Sequence, residues 1–194
     1  MTSTLHILAL PREFAAAAAD LDRQTLGGFW TLGAYQQEMQ RSSAVLLGLV
    51  APLSAPLSKT VPRAGHFGLL GMVCGWHILD EVHLTMLAVH PDYRTLGWGG
   101  GLLNRLLYHT SQRQGTRATL EVRSSNQAAI GLYEQYGFKA VGERPHYYPD
   151  GESASIFWLS GLHTPARRQV LTDRWRNLQS RVAREQHRLL TYVD

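Results

Sequence analysis

The chain has 194 residues, of which 44% are hydrophobic and 18% charged, a length and composition typical of one globular domain with a sizeable core. Its single cysteine, Cys74, excludes a disulfide framework within the chain and argues against a cysteine-based metal site. The formal net charge of +4 belongs to one end, because residues 1–160 hold twelve basic and twelve acidic side chains while residues 161–194 hold seven arginines and three acids.

This shift in charge predicts a boundary near the turn-forming residues 161–165, between a domain of residues 1–160 and a basic extension of residues 161–194. The first ten residues have no basic stretch followed by a long apolar segment, and no run of about eighteen apolar residues occurs further on. We therefore expect a cytoplasmic protein in a reducing compartment, with no membrane contact.

In chain order, apolar runs predict strands, and apolar residues at three- and four-residue spacing predict helices between them. The predicted strands are 5–10, 44–50, 66–79, 82–89, 118–122, 138–143 and 154–159. The predicted helices are 14–26, 32–41, about 100–113, 127–136 and one in the extension that carries Leu171, Trp175, Leu178, Val182 and Leu189 on one face. Residues 51–65 hold three prolines and predict a loop or disordered insert. Strands alternate with helices in the middle and pair as hairpins at both sides, which predicts an α/β protein with a mixed sheet.

The stretch after the strand 82–89 is organised as a phosphate-binding loop. A turn containing His90, which we expect to be solvated, is followed by Arg94-Thr95-Leu96-Gly97-Trp98-Gly99-Gly100 and then by a helix. Glycines let backbone N–H groups approach an anion, and the positive end of a helix dipole adds to the attraction. The loop lacks the Gly-Lys-Ser/Thr end of a nucleoside-triphosphate loop, and Leu102 stands where a dinucleotide fingerprint needs its third glycine. A glycine-rich turn that opens an ordinary helix is the plainer alternative.

The remaining pattern, R-x-x-G-x-G after an apolar strand, resembles the acetyl-coenzyme A (acetyl-CoA) pyrophosphate loop of the GNAT acyltransferase superfamily. Further on, residues 120–138 read L-E-V-R-x-S-N-x-x-A-I-x-L-Y-E-x-x-G-F, and Tyr147-Tyr148-Pro149 follow. Together these motifs resemble the RimI-type ribosomal-protein alanine N-acetyltransferases, closely over residues 84–149 and loosely over residues 5–50. The resemblance implies the GNAT fold, with a mixed and mostly antiparallel central sheet flanked by helices, to which this chain adds a C-terminal helix.

The resemblance also implies roles for individual residues. Glu121 corresponds to the general base of the family, and Tyr133 to the acid that protonates the leaving thiolate. A tyrosine with a pKa of about 10 keeps its proton at neutral pH and can donate it to a thiolate whose thiol has a pKa of roughly 8–9. The residues implied to bind acetyl-CoA are Leu87, Ala88, Val89, Arg94, Thr95, Leu96, Gly97, Trp98, Gly99, Gly100 and Asn126.

Three further implications concern the reaction's geometry. Backbone N–H groups of Leu87, Ala88 and Val89 would meet the thioester oxyanion, where the central strand bulges away from its neighbour. Trp30, Tyr147 and Tyr148 would line the acceptor site. Each residue also has an ordinary structural interpretation: packing for the aromatic residues, and a helix cap for Asn126.

The implied acceptor is the α-amine of a protein N-terminus, with the alanine of small-subunit ribosomal protein number eighteen as the family's target. An α-amine with a pKa of about 7.8 needs about 1 kcal/mol to lose its proton at pH 7, whereas a lysine at about 10.4 needs about 4.6 kcal/mol, so a single glutamate suits the α-amine better. Other N-termini, lysines and small amines stay open as acceptors, and so does a non-catalytic CoA-binding adaptor. The nine histidines show no metal-ligand spacing, so we expect no metal.

Two features depart from the family pattern. Gly100 and Gly101 occupy the first turn of the loop's helix, where each glycine costs roughly 0.5–1 kcal/mol and neither offers a basic side chain. The apolar stripe of the extension predicts that its helix packs on the core or on a neighbouring subunit. A weak contact between its arginines and ribosomal RNA is the alternative.

Overall fold

The computed structural model describes residues 3–186 and 188–193. Its strands are β1 Ser3–Ala9, β2 Ala44–Pro52, β3 Arg63–Ala64, β4 Phe67–Ile78, β5 Glu81–Val89, β6 Arg117–Arg123, β7 Lys139–Arg144, β8 Ala154–Ser160 and β9 Arg188–Val193. Its α-helices are α1 Ala15–Thr25, α2 Leu32–Glu38, α3 Trp98–Gln112, α4 Gln127–Gln135 and α5 Pro165–Gln186. The predicted strands and helices are present with ends that differ by a few residues, and β3 and β9 are additional.

The strands form one mixed sheet in the order β7-β8-β6-β5-β4-β2-β1-β9, with β3 paired to β4. Among the described strands, β5 pairs with β6 and β1 pairs with β9 in parallel, and the other pairs are antiparallel. The mixed, mostly antiparallel sheet is therefore confirmed. α3 packs on one face of the sheet and α1 on the other, each over its own cluster of buried side chains.

The sheet opens between β5 and β6. These two strands pair only from Glu81 to Leu84 on β5 and from Arg117 to Leu120 on β6. Beyond that point the register shows no pairing between them, although both strands continue, to Val89 and to Arg123. The result is a cleft that starts in the middle of the sheet, flanked on both sides by strands that remain paired to other neighbours.

The bulge in β5 lies earlier than we predicted. On β4, Cys74 pairs with Met86 while the next residue, Gly75, pairs with Leu84, so Thr85 is an extra residue in β5. The extra residue reverses which positions face each side: Leu84 belongs to the cluster under α3, whereas Met86 belongs to the cluster under α1. The predicted bulge at residues 87–89 is therefore wrong in position, because Thr85 already redirects the strand at the point where β6 departs.

Residues 51–65 are ordered, so the disordered alternative for this insert is wrong. Val61 is buried, and the Ser58 N–H donates to the hydroxyl of Tyr93 at 3.0 Å. The expectation of a solvated His90 is also wrong, because the ring is 1% exposed and its Nε2 lies 3.2 Å from Thr60 Oγ1. A few buried side chains, such as Val61, and long-range polar contacts fix this loop, and such contacts leave no periodic signal in a sequence.

The extension folds back onto the sheet. Leu171, Trp175 and Val182 of α5 lie in the cluster under α3, which confirms the prediction that this helix packs on the core. The helix ends at Gln186, however, so the prediction that Leu189 continues its apolar stripe is wrong. Leu189 belongs to β9, which pairs with β1, because edge pairing with an available strand overrides a spacing that is also compatible with a helix.

Two kinds of feature are absent from the described parts of the chain. None of the helices there combines the length and the apolar character needed to cross a bilayer. Residues 3–186 and 188–193 also contain no group of three or more His, Cys, Asp or Glu side chains arranged to hold a metal ion.

Candidate active site

Glu121 stands where the sheet opens. Its neighbours Leu120 and Val122 are buried in the cluster under α3, so the Glu121 side chain points to the opposite face. Its carboxylate is held from two sides, because His83 Nε2 lies 3.1 Å from Oε2 and Arg144 Nη2 lies 3.2 Å from Oε1. The side chain is 12% exposed. A largely buried carboxylate, held in position by two hydrogen-bond donors, therefore stands beside the cleft, where it can act as a general base.

His83 is a part of this site that the sequence did not reveal. The parallel register of β5 and β6 places it opposite Thr119, and its Nδ1 lies 3.1 Å from Thr119 Oγ1. A neutral ring that accepts the hydroxyl proton at Nδ1 donates from Nε2 to Glu121. The signal was a run of polar residues at alternate positions of β6, Thr119, Glu121 and Arg123, which makes that face of the strand polar. Only the register shows that His83 meets it.

Tyr133 lies on the other face of the sheet. The side chain is 6% exposed in the cluster under α3, and its ring makes an edge-to-face contact with Phe138 at 5.8 Å between centroids. Burial, and to a smaller extent the nearby Tyr148, raise the pKa of the Tyr133 phenol above its ordinary value. The phenol therefore keeps its proton at neutral pH, which is what an acid for a leaving thiolate requires.

Backbone N–H groups of β5 point into the cleft. His90 donates its N–H to the Leu70 carbonyl of β4 at 2.9 Å. Since hydrogen-bonded positions alternate along an antiparallel pair, Ala88 also uses its N–H within the sheet. Leu87 and Val89 occupy the intervening positions and direct their N–H groups away from β4, into the space that β6 has left. The structure therefore brings two of the three predicted oxyanion donors to the cleft, and Ala88 is not among them.

The glycine loop leaves the first turn of α3 open to a ligand. Gly97 precedes the helix at φ 86° and has no side chain that could accept from the first helical N–H groups, which have no intrahelical partner. Arg94 folds back on the strand, with Nε donating to the Val89 carbonyl at 3.2 Å, and Thr95 is held at φ 62°. Trp98 is 1% exposed, so only its backbone can meet a ligand. The free N–H groups of residues 98–100 beside Arg94 form a cradle that fits a diphosphate.

Asn126 caps the next helix, α4. Its Oδ1 accepts the Ala129 N–H at 3.1 Å. One residue earlier, the Ser125 N–H donates to Glu152 Oε1 at 2.9 Å, and Arg123 binds the other oxygen of Glu152 at 2.6 Å. The Asn126 side chain is exposed, and within the described residues no hydrogen bond uses its Nδ2. The cap and a ligand contact through Nδ2 are therefore compatible.

Trp30 is tied to the Glu121 side of the cleft. Its ring stacks on Trp76 of β4, with centroids 6.2 Å and planes 8° apart, and the backbone N–H of Trp30 donates to the buried Asp22 carboxylate at 2.7 Å. Trp76 pairs across the strands with His83, and side chains of directly opposed residues share a face of the sheet. Trp30 is therefore linked to Glu121 through Trp76 and His83.

Tyr147 and Tyr148 lie on the other side of Glu121. Their rings make an edge-to-face contact at 5.2 Å. Arg144 of β7, which binds Glu121, has its guanidinium 5.6 Å from the centre of the Tyr147 ring, and Arg123 lies 4.0 Å from that of Tyr148. Because β7 and β4 lie on opposite sides of β6, each one strand beyond its neighbour, the two tyrosines and Trp30 form two walls with the carboxylate between them.

Comparison with known proteins assigns the chain to a family. The model of the Acetyltransferase (GNAT) family matches residues 28–138, more than half of the chain. This chain belongs to the acetyltransferase (GNAT) family. The ribosomal protein bS18-alanine N-acetyltransferase of Escherichia coli (strain K12) is 44% identical over 81 residues, which are 41% of this chain and 55% of that protein. An N-alpha-acetyltransferase of Sulfurisphaera tokodaii is 42% identical over 80 residues, which are 41% of this chain and 48% of that protein.

A solved structure extends the GNAT match. The crystal structure of the ribosomal-protein-S18-alanine N-acetyltransferase from Escherichia coli superposes with a TM-score of 0.67 at 29% identity, over 81% of this chain and 94% of that one. The sequence alignments with curated relatives are shorter and span 48% to 66% of those proteins. The family region contains the cleft, the glycine loop, Glu121 and Tyr133, whereas the extension lies beyond it.

Three arginines of the extension, at intervals of seven residues, bind backbone carbonyls of residues 1–160. Arg167 donates to the Tyr136 carbonyl at the end of α4 at 3.2 Å, and Arg174 donates to a neighbouring carbonyl of the same helix end. Arg181 donates from Nη2 to the carbonyl of Leu96 in the glycine loop at 3.2 Å. A cation near the carboxyl end of a helix is favourable, so the first two stabilise α4. Part of the extension's charge is therefore used inside the protein.

Proposed function

We propose that this protein transfers the acetyl group of acetyl-CoA to the α-amine of a protein N-terminus, with the alanine of ribosomal protein S18 as the acceptor. The observation that carries the proposal is the split between β5 and β6. On one face of the split stand Glu121 and two aromatic walls, and on the other stand the glycine loop and Tyr133. Two substrates can therefore approach from opposite faces of one sheet and meet in the gap.

The loop of residues 94–100 and the start of α3 bind the acetyl donor, acetyl-CoA. The first N–H groups of α3 and the guanidinium of Arg94 hold the two phosphates, and the exposed Nδ2 of Asn126 adds a donor nearby. When bound, acetyl-CoA supplies a thioester carbonyl that an amine can attack. The N–H groups of Leu87 and Val89, which point into the cleft, would donate to that carbonyl oxygen as it acquires negative charge.

Proton transfer falls to Glu121 and Tyr133. Glu121 accepts a proton from the incoming α-ammonium, directly or through one water, so that the nitrogen attacks as a free amine. His83 and Arg144 hold the carboxylate in place through contacts to its two oxygens. On the opposite face, Tyr133 protonates the leaving thiolate, because its buried phenol has kept its proton.

The choice of acceptor rests on the walls and on the relatives. Trp30 and the two tyrosines line the approach to Glu121, and the similar Escherichia coli protein is named for the alanine of protein bS18. In this proposal residues 1–160 form the catalytic domain and residues 161–194 an extension to it. A ribosomal acceptor also implies a cytoplasmic location. Exposed arginines such as Arg176 and Arg184 would make any contact with ribosomal RNA. Arg167, Arg174 and Arg181 already bind backbone carbonyls of this protein.

The test is acetyl transfer to a panel of N-terminal hexapeptides, with mass spectrometry to locate the added group. We expect turnover of a peptide with the S18 N-terminus, and none of the same peptide with a blocked α-amine. Glu121→Gln should lower kcat by about a hundredfold or more, because general base catalysis typically contributes 10²–10⁴. Tyr133→Phe should also lower kcat while leaving CoA affinity, measured by calorimetry, near the wild-type value.

Each alternative has its own outcome in this assay. Acetylation of the blocked peptide at a lysine, or turnover of small amines only, would show that the acceptor is a lysine or a small amine and not a protein N-terminus. Binding of CoA with no turnover of any acceptor, by wild type or by the Glu121→Gln variant, would make the protein a CoA-binding adaptor.

A further inference from the structure

The helix of the extension reaches the phosphate loop through a close contact between α5 and α3. A Cβ at Gly101 would lie 2.7 Å from Leu178 Cδ2, so the glycine lets the Leu178 side chain pack directly against the backbone of α3. One turn further along α5, Arg181 donates to the Leu96 carbonyl, and its guanidinium fills the space where a Cβ of Gly97 would stand. The guanidinium thus lies against the cap of α3, on the loop that leads into its open first turn.

Arg181 has no carboxylate partner among the residues that the structure describes, and there its hydrogen bond to Leu96 is a single one. A guanidinium carries five N–H donors in a planar fork, and this fork matches two phosphate oxygens. The first turn of α3 itself reads Trp98-Gly99-Gly100-Gly101 and offers no cation. Arg94 supplies one positive charge on the β5 side of the loop. On the side of the loop that faces α5, the positive charge comes from Arg181.

We propose that Arg181 is a phosphate-binding residue for the acyl donor, delivered to the loop by the C-terminal extension. It would keep its bond to Leu96 through one nitrogen and bind the diphosphate of CoA through the others, together with the N–H groups of residues 98–100. This inference rests on the proposed function, because it takes acetyl-CoA as the donor. It gives the extension a direct part in donor binding, although the extension lies outside the region that matches the GNAT family.

Calorimetry with three ligands tests the assignment: CoA, dephospho-CoA, which lacks the 3′-phosphate, and acetylpantetheine, which lacks every phosphate. Arg181→Gln should weaken CoA and dephospho-CoA by about tenfold, the size expected for one charge-assisted contact, and leave acetylpantetheine unchanged. Arg181→Lys should lose less, because it keeps the charge and loses the fork. Arg176→Gln is the matched control, since it removes one positive charge from the same helix at a side chain that is 69% exposed.

The outcomes separate this inference from the proposed function. If the wild-type protein binds neither CoA nor dephospho-CoA, the proposed function fails. If wild type binds CoA and Arg181→Gln binds it equally well, only the role of Arg181 fails. An equal loss for acetylpantetheine would reduce Arg181 to a tether between α5 and the loop, and a loss seen with CoA but not with dephospho-CoA would overturn the assignment to the diphosphate. Thermal unfolding of each variant checks that the fold is intact.

Discussion

Two helices begin beside the split in the sheet, yet their first turns differ. α4 is closed by its own chain, because Asn126 Oδ1 accepts the Ala129 N–H and Glu152 accepts the Ser125 N–H immediately before the helix. α3 begins with Gly97, which has no side chain, and the polar groups next to it are cations. The start of α4 therefore has side-chain acceptors for its N–H groups, whereas the cap residue of α3 has none.

The difference shows which helix start is kept for an external anion. Glu152 places a negative charge at α4, and hydrogen bonds from Ser125, followed by the interaction with Arg123, lower its pKa to about 2, so the charge is present at any physiological pH. At α3 the corresponding negative charge must come from a ligand. Helix dipoles favour an anion at both starts, but α4 already has side-chain acceptors from Asn126 and Glu152, whereas the cap residue of α3 offers none.

The largest expected effect comes from giving α3 a side chain at its cap. Gly97→Ala places a Cβ in the left-handed region, which costs about 1–2 kcal/mol for a non-glycine residue, and the same Cβ collides with the Arg181 guanidinium. We expect lower stability in urea unfolding and a CoA affinity at least tenfold weaker.

The control for this change lies on the other helix. Gly131 is in the middle of α4, and a Cβ there would meet nothing within 4 Å. Gly131→Ala should therefore raise the unfolding free energy by about 0.5–1 kcal/mol through helix propensity alone and leave CoA affinity unchanged. Equal affinities for the Gly97→Ala and Gly131→Ala variants would mean that the start of α3 does not bind the donor.

A smaller effect should distinguish the two glycines that depart from the family pattern. A Cβ at Gly101 would press on Leu178, whereas one at Gly100 would lie 3.5 Å from the Tyr136 hydroxyl, an ordinary contact. Gly101→Ala should lower the unfolding free energy by about 1 kcal/mol, since overpacking outweighs the gain in propensity, and Gly100→Ala should raise it by about 0.5 kcal/mol. Urea unfolding of the two variants measures this, and a gain of stability in both would show that α5 does not need the glycine at residue 101.

The sequence was sufficient for the parts of the site that are close together along the chain. Strand β5, the glycine loop, α3, β6 and α4 follow one another within residues 81–138, so the motifs and the periodicity could be read as one unit. The orientation of Glu121, opposite to its buried neighbours Leu120 and Val122, follows from strand alternation.

The parts that were missed depend on contacts between distant segments. His83 meets Glu121 only because β5 and β6 pair in one particular register, and Arg181 reaches Leu96 across 85 residues. The strand β9 was predicted as helix, because Leu189 follows Val182 at a spacing that a helix also allows. In each case the deciding interaction is non-local, and neither residue spacing nor composition contains it.

The smallest expected effect concerns Asn126, where the cap and a ligand contact can be separated. Asn126→Asp keeps an oxygen that accepts the Ala129 N–H, so the unfolding free energy should stay within about 0.5 kcal/mol of wild type, whereas Asn126→Ala should lose about 1 kcal/mol. Only the amide offers Nδ2 as a donor, and a second carboxylate beside Glu152 would repel a phosphate-bearing ligand. Calorimetry should therefore show weaker CoA binding in both variants, by a few-fold. If Asn126→Asp binds CoA as tightly as wild type does, Asn126 serves α4 alone, and the contrast between a closed helix start and an open one becomes complete.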